Sequence, residues 1–195
     1  MIALALGAAD CLFDDLEEIG RLVPIEQCII VACNDAGIVY PDRLDHWVTL
    51  HPEELERRKV KRAERGYPDG FETWTRPYPY GMKERERICD HVIGGFDGSS
   101  GLAAVGVGLA SADVVVAGGL PMDDRPHILT GRRWHSCVKY RPRWEELYDR
   151  LKGRVRSMSG WTMELLGEPT ADWLLPHMSP LHNATAQPVV LTTHP

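Results

Sequence analysis

A chain of 195 residues, 44% hydrophobic and 26% charged, holds enough apolar material for one sizeable core and reads as a single soluble domain. Its net charge of −6 excludes a surface that is a nucleic-acid footprint as a whole, and no stretch approaches the roughly 20 apolar residues that span a bilayer, so neither nucleic acid nor membrane is an expected partner. Five scattered cysteines (Cys11, Cys28, Cys33, Cys89 and Cys137), an odd set without a C-x-x-C pair, read as free thiols buried like small hydrophobes in a reducing cytosol.

The start lacks a basic segment, and acidic residues follow its short apolar run at once, so Ile2–Leu6 reads as a buried first strand ended by Gly7 rather than as a signal peptide. Asp10 suits a helix N-cap, and Leu12, Leu16, Ile19 and Val23 recur at helical spacing. Residues 28–33 form a second apolar strand ending at Asn34 and Asp35, so the first third reads as a βαβ unit and argues for a parallel sheet. A third strand is predicted at 47–50, stopped by His51 and Pro52.

Residues 53–65 make a helix crowded with charge, which reads as peripheral with one face on solvent; a ligand role for Arg57, Arg58, Lys59, Lys61 and Arg62 competes with their being solvated charges among interleaved acids. Residues 66–82, rich in Gly, Pro and aromatics, form the longest irregular stretch, of the kind that serves as a lid or stays mobile. A strand is predicted at 88–93.

Next comes the unit around which the chain is organised: a loop through Gly98, Ser99, Ser100 and Gly101, a helix over 102–112 built from Gly, Ala, Leu and Val, and an apolar strand over 114–117. Small helix residues let a backbone lie close to a sheet, and a continuous apolar run suits a strand buried on both faces. Trp144, Leu147, Tyr148 and Leu151 mark an amphipathic helix opened near Pro142 and closed at Gly153. A last strand over 155–158, a short helix over 159–166 and one more turn at 171–175 follow, with a poorly ordered or partner-dependent tail over 176–195. The fold class is therefore α/β: a Rossmann-like, mainly parallel sheet with helices on both faces.

In such sheets ligands bind beyond the carboxyl ends of the strands. Gly98, Ser99, Ser100 and Gly101 are the best anion-site candidate, because helix N-terminal amides favour phosphate or carboxylate; the alternative is that the serines only cap their own helix. Gly7-Ala8-Ala9-Asp10 lacks the second glycine of a dinucleotide fingerprint and places a carboxylate where pyrophosphate would approach, which argues against an ordinary NAD site. Gly106 and Gly108 lie inside the helix and read as packing. His51 reads as a general base or ligand contact, or else as a cap of the charged helix. Asp123, Asp124 and His127 form a polar cluster able to act on a hydroxyl acceptor, at a spacing too general to specify a metal, and no cofactor is named by any motif.

Gly7, Cys33-Asn34, Ser99-Ser100-Gly101 and Gly118-Gly119-Leu120-Pro121-Met122-Asp123, spread over about residues 2–125, give the chain a resemblance. It resembles the Rossmann-like superfamily of bacterial sialyltransferases and motility-accessory, pterin-pyrophosphokinase-like proteins. Through Trp47-Val48-Thr49-Leu50-His51-Pro52 it also resembles small phage and prophage proteins. The first resemblance implies a pocket for a nucleotide or nucleotide-sugar donor, with Asn34 and Ser99 to Gly101 beside it and a histidine, nearest in order His127, as acceptor base. The first loop departs from that superfamily's Gly-x-Gly-x-Ser.

Three functions stay open on the sequence. The leading one is nucleotide or nucleotide-sugar binding with group transfer to a hydroxyl. It would use Gly7, Asn34, Asp35 and Gly98 to Gly101 for the ligand and His51, His127 and Asp123 for the chemistry. The second is a phage-type accessory or assembly protein without an active site, which an exposed aromatic patch around Trp74 and Tyr78 would favour. The third is a nucleotide or nucleoside hydrolase using Asp10, Asp35 or Asp123. A homo-oligomer is compatible with all three.

Overall fold

The structure, a computed structural model, describes residues 1–178. In chain order it contains β1 (Ile2–Leu6), α1 (Leu12–Leu22), β2 (Ile29–Cys33), α2 (Ala36–Val39), β3 (His46–Val48), α3 (Leu55–Glu64), β4 (Glu72–Thr75), β5 (His91–Val92), α4 (Ser100–Ser111), β6 (Val114–Gly118), α5 (Arg141–Glu146), α6 (Tyr148–Leu151), β7 (Val155–Ser157), α7 (Gly160–Leu166) and α8 (Ala171–Leu174). The strands form one seven-stranded sheet in the order β5-β4-β3-β2-β1-β6-β7, and every neighbouring pair is parallel. This is an α/β, Rossmann-like fold, as the pattern of apolar strands predicts.

The central strands are apolar throughout because the pleat sends alternate residues into two different cores. Ile2, Leu4 and Leu6 of β1 join Leu12, Leu16 and Ile19 of α1 on one face. Ala3 and Ala5 meet Ala103, Ala104 and Val107 of α4 on the other. The second face carries small residues on both partners, so α4 lies close to the sheet. A Cβ added at Gly108 would stand 3.0 Å from Val115 Cγ2 and 3.4 Å from Ala3 Cβ.

The chain walks outward from β1 through β2, β3, β4 and β5, then returns over the sheet through α4 and continues on the other side of β1 with β6 and β7. The direction of winding therefore reverses between β1 and β6, where a crevice opens beyond the carboxyl ends of the strands. The two strand exits are stitched together: the Gly7 amide donates to the Gly118 carbonyl at 2.9 Å and the Ala9 amide to the Gly119 carbonyl at 3.3 Å.

Four expectations need correction. The stretch 66–82 contains a strand, β4, whose Glu-Thr-Trp-Thr run is too polar to stand out as apolar but alternates, with Thr73 and Thr75 buried. The amphipathic helix breaks at Leu147 into α5 and α6, although Trp144 and Leu151 are buried as its spacing predicts. Cys11, not Asp10, occupies the N-cap of α1 and makes no side-chain bond there. Helix α3 keeps one face on solvent, but Arg58 and Arg62, expected among the solvated charges, are buried with Leu55 along its inner face. The tail expected over 176–195 lies, from residue 179 on, outside the described residues, and before it Leu175–His177 forms a single 3₁₀ turn.

Candidate functional site

A cleft of about 520 Å³ opens at this crevice. Asn34, Asp35, His51, Gly98, Ser99, Ser100, Gly101, Asp123 and His127 all line it, so residues far apart in the sequence converge there. Gly7 does not reach it. A Cβ at Gly7 would come within 2.8 Å of Leu120 Cγ and closer still to the Gly119 carbonyl, so this glycine lets the β1 and β6 exits approach.

The floor is the N-terminus of α4. Ser99 is its N-cap, and its Oγ accepts from the Leu102 amide at 3.2 Å. Ser100 Oγ accepts from the Leu50 amide at 3.4 Å and ties the helix start to the end of β3. Ser99 thus caps its own helix, as one alternative expects, and each serine oxygen serves the backbone as an acceptor, which leaves the hydroxyl proton to donate. The first amides of the helix have no intrahelical acceptor.

On the β2–β3 side, Asn34 adopts φ 45°, in the left-handed region that asparagine tolerates better than most residues. The turn is fixed by Trp47, whose Nε1 donates to the Asn34 carbonyl at 2.8 Å. Buried Thr49 is the hub that the sequence did not announce. Its hydroxyl donates to Asn34 Oδ1 at 3.0 Å and accepts from the His51 amide at 3.0 Å and from Arg58 Nη1 at 3.2 Å. Arg58 Nε in turn donates to Asp35 Oδ1 at 2.9 Å. The signal for Arg58 was its place on the face that Leu55 and Arg62 share, one turn from each, where an apolar residue would be expected.

The two candidate histidines differ. His127 Nε2 stands 3.5 Å from Asp35 Oδ2, and its Nδ1 accepts from the Leu129 amide at 3.3 Å, so both ring nitrogens face protein. His51 is exposed, its Nδ1 lies 3.5 Å from Glu53 Oε1, and its side chain caps no helix. A carboxylate at Nδ1 leaves Nε2 as the acceptor nitrogen, which is the tautomer a general base requires. Beside the cleft, Asp123 pairs with Arg125 at 3.6 Å, and one of its oxygens, Oδ1, is buried without a hydrogen-bond partner. Asp124 pairs instead with Arg133 and His135, so the Asp123, Asp124 and His127 cluster is divided among different partners. Asp10 lies exposed on the loop after β1. Among the described residues no group of three or more His, Cys, Asp or Glu side chains is placed to hold a metal ion.

Behind the cleft, Asp15 of α1 is buried. Its Oδ2 accepts from the Gly119 amide at 2.7 Å and from Ser159 Oγ at 2.9 Å, which fixes the β6 exit against α7. Burial pushes its carboxyl pKa above the ordinary value, opposed by those hydrogen bonds. The five cysteines are unpaired and buried. Burial raises the thiols of Cys11 and Cys89 to about 11 and those of Cys28 and Cys33 to about 12, which removes them as nucleophiles.

Trp74 and Tyr78 do not together make an exposed aromatic patch. Tyr78 is buried, with its hydroxyl donating to the Leu50 carbonyl at 2.6 Å, and Trp74 stacks on His91 with ring centroids 4.4 Å apart. Among the described residues no helix is long and apolar enough to cross a membrane. No family model, curated protein or solved structure matches the chain.

Proposed function

We propose that the cleft binds a nucleotide or nucleotide sugar and supports transfer of the donor's glycosyl group to a hydroxyl acceptor. The observation that carries this reading is a cleft whose lining arginines outnumber its lining carboxylates, in a chain that is negative as a whole. Arg125, Arg132 and Arg133 line it against Asp35 and Asp123, Arg58 offsets Asp35 from behind, and the α4 N-terminus adds its own positive end, all in a chain of net charge −6. Phosphate suits the amides of Ser100 and Gly101 and the serine hydroxyls, and the Asn34 side-chain amide supplies donors to a ribose or base.

In the transfer, the acceptor O–H proton passes to His51 Nε2 and the acceptor oxygen bonds to the donor's anomeric carbon. The anomeric C–O bond to phosphate breaks, its electron pair leaving with the nucleotide. The resemblance to the sialyltransferase superfamily supports the same reaction class. It would make His127 the base, but a ring engaged at both nitrogens favours His51.

A thermal-shift panel tests the reading: CMP, CDP, UDP, ADP, CMP- and UDP-sugars and inorganic phosphate, each with and without Mg²⁺ or Mn²⁺. A ligand at about 100 times its Kd adds about 2.7 kcal/mol, or roughly 2–4 °C for each kcal/mol in a chain of this size. A selective rise that Asn34→Gly abolishes, in a protein as stable as the wild type without ligand, supports the pocket, since glycine keeps the left-handed turn and removes the amide together with the acceptor it offers the Thr49 hydroxyl. A well-folded protein that shifts with none of them overturns it, and product analysis distinguishes transfer from hydrolysis.

A further inference from the structure

One wall of the cleft is a short hairpin-like loop after β6. It is held in place by its backbone. The Asp10 amide donates to the Pro126 carbonyl at 2.9 Å, the Ile128 amide to the Ala8 carbonyl at 2.9 Å, and the His127 amide to the Arg132 carbonyl at 2.9 Å. This anchoring presents Arg132 and Trp134 at the cleft. Trp134 stacks on Tyr140, with ring centroids 5.4 Å apart and planes 30° from parallel. Both rings line the cleft, yet they keep 41% and 37% of their surface open.

Two side-chain features of this wall are not used by those backbone bonds. The first is the stack itself. Aromatic rings on a concave surface ordinarily bury themselves, whereas here a stacked pair is left facing the cavity, where one more flat ring would extend it. The second is Arg132. The neighbouring Arg125 and Arg133 pair with Asp123 and Asp124, but among the described residues Arg132 has no acidic partner. A flat surface and an unmatched guanidinium lining the same cleft fit a planar ring attached to an anion.

We propose that Trp134 is the seat of the nucleobase and that Arg132 binds the phosphate nearest to it. The inference rests on the nucleotide reading above and adds where the base lies. It also fixes the ligand class as an aromatic ring carrying phosphate, in preference to pyrophosphate or a sugar phosphate alone.

Calorimetric titration of the wild-type protein, Trp134→Ala, Trp134→Phe and Arg132→Ala with CMP, UMP, AMP, GMP, ribose 5-phosphate and pyrophosphate tests it. Trp134→Ala is expected to weaken the best-bound mononucleotide about tenfold, as loss of one base–aromatic stack does, and to leave pyrophosphate unchanged. Trp134→Phe keeps most of the affinity. Arg132→Ala weakens mononucleotide and pyrophosphate alike and flattens the salt dependence. As a readout free of folding effects, nucleotide should quench wild-type tryptophan emission more than that of Trp134→Phe. Mononucleotide affinity unchanged in Trp134→Ala, or a loss shared equally by pyrophosphate, overturns the base seat while leaving the nucleotide reading intact. A wild-type protein that binds no mononucleotide removes both.

Discussion

Arg58 Nε lies 2.9 Å from Asp35 Oδ1, and this ion pair is built into the back of the cleft, with the arginine side chain 9% exposed and the aspartate 25%. The guanidinium also reaches Thr49, so one cation from α3 orders the ends of β2 and β3 together. Removing one partner of a buried pair leaves the other charge uncompensated and costs about 3–5 kcal/mol. Because Asp35 keeps partial contact with solvent and with His127, Arg58→Met should lose about 2–3 kcal/mol, at or just below the low end of that range. Asp35→Asn leaves the more buried charge, the Arg58 guanidinium, without its counter-ion and should lose at least as much, and in the double variant the two losses should not add. Urea unfolding of the four proteins measures this. Strictly additive losses would show that the pair is not coupled.

The core of the sheet was legible because β1, β2 and β6 are buried on both faces and therefore read as unbroken apolar runs. The residues at their carboxyl ends were legible for the same reason, since the strand ends fix where ligands go. Strand β4 was not, because its two exposed or half-exposed positions are Glu72 and Trp74, and its buried ones are threonines. Arginines were the other blind spot. Arg62 is buried with no carboxylate bonded to it; it donates instead to the carbonyls of Pro68, Gly37, Tyr40 and Asp42. Those acceptors lie in and just after α2 and in the loop after α3, and the positions of such carbonyls are set by the tertiary fold rather than by any local residue pattern. His51 and His127 could not be ranked from sequence either, because the ranking depends on which ring nitrogen is engaged.

Asp15 gives the protein a pH dependence of a definite sign. Burial raises its carboxyl pKa in the folded state, against the pull of Gly119 and Ser159. The folded chain therefore holds this proton at pH values where the unfolded chain has released it, so stability falls as pH rises from the ordinary carboxylate value of about 4. Both donors aim at Oδ2, an oxygen that an asparagine side chain also possesses, so Asp15→Asn keeps the two hydrogen bonds and removes the charge. Unfolding free energies between pH 4 and 8 should show the variant gaining on the wild type as pH rises and then running parallel to it above the folded pKa. A gap that narrows with rising pH would contradict the assigned direction.

Gly106 sets two effects of known size against each other. Alanine is favoured over glycine inside a helix by about 1 kcal/mol, so on propensity alone Gly106→Ala should stabilise α4. The added Cβ would stand 2.6 Å from Phe96 Cδ2 and 2.7 Å from Phe96 Cβ. Phe96 has little freedom to yield: it is buried, and the Arg150 guanidinium lies over its ring at 4.3 Å from the centroid. Overpacking of this kind costs about 1–3 kcal/mol, so Gly106→Ala should be destabilising by about 1 kcal/mol net. Gly108→Ala, whose Cβ would meet Val115 Cγ2 at 3.0 Å, should cost less. Phe96 also belongs to the loop that carries Gly98 and Ser99 to the cleft, so strain entered at Gly106 is passed to the end of the cleft formed by the start of α4. Thermal unfolding of both variants, with nucleotide titration of Gly106→Ala, tests the chain of effects. A Gly106→Ala protein at least as stable as the wild type would mean that Phe96 moves aside without cost and that the loop is not fixed by its packing on α4.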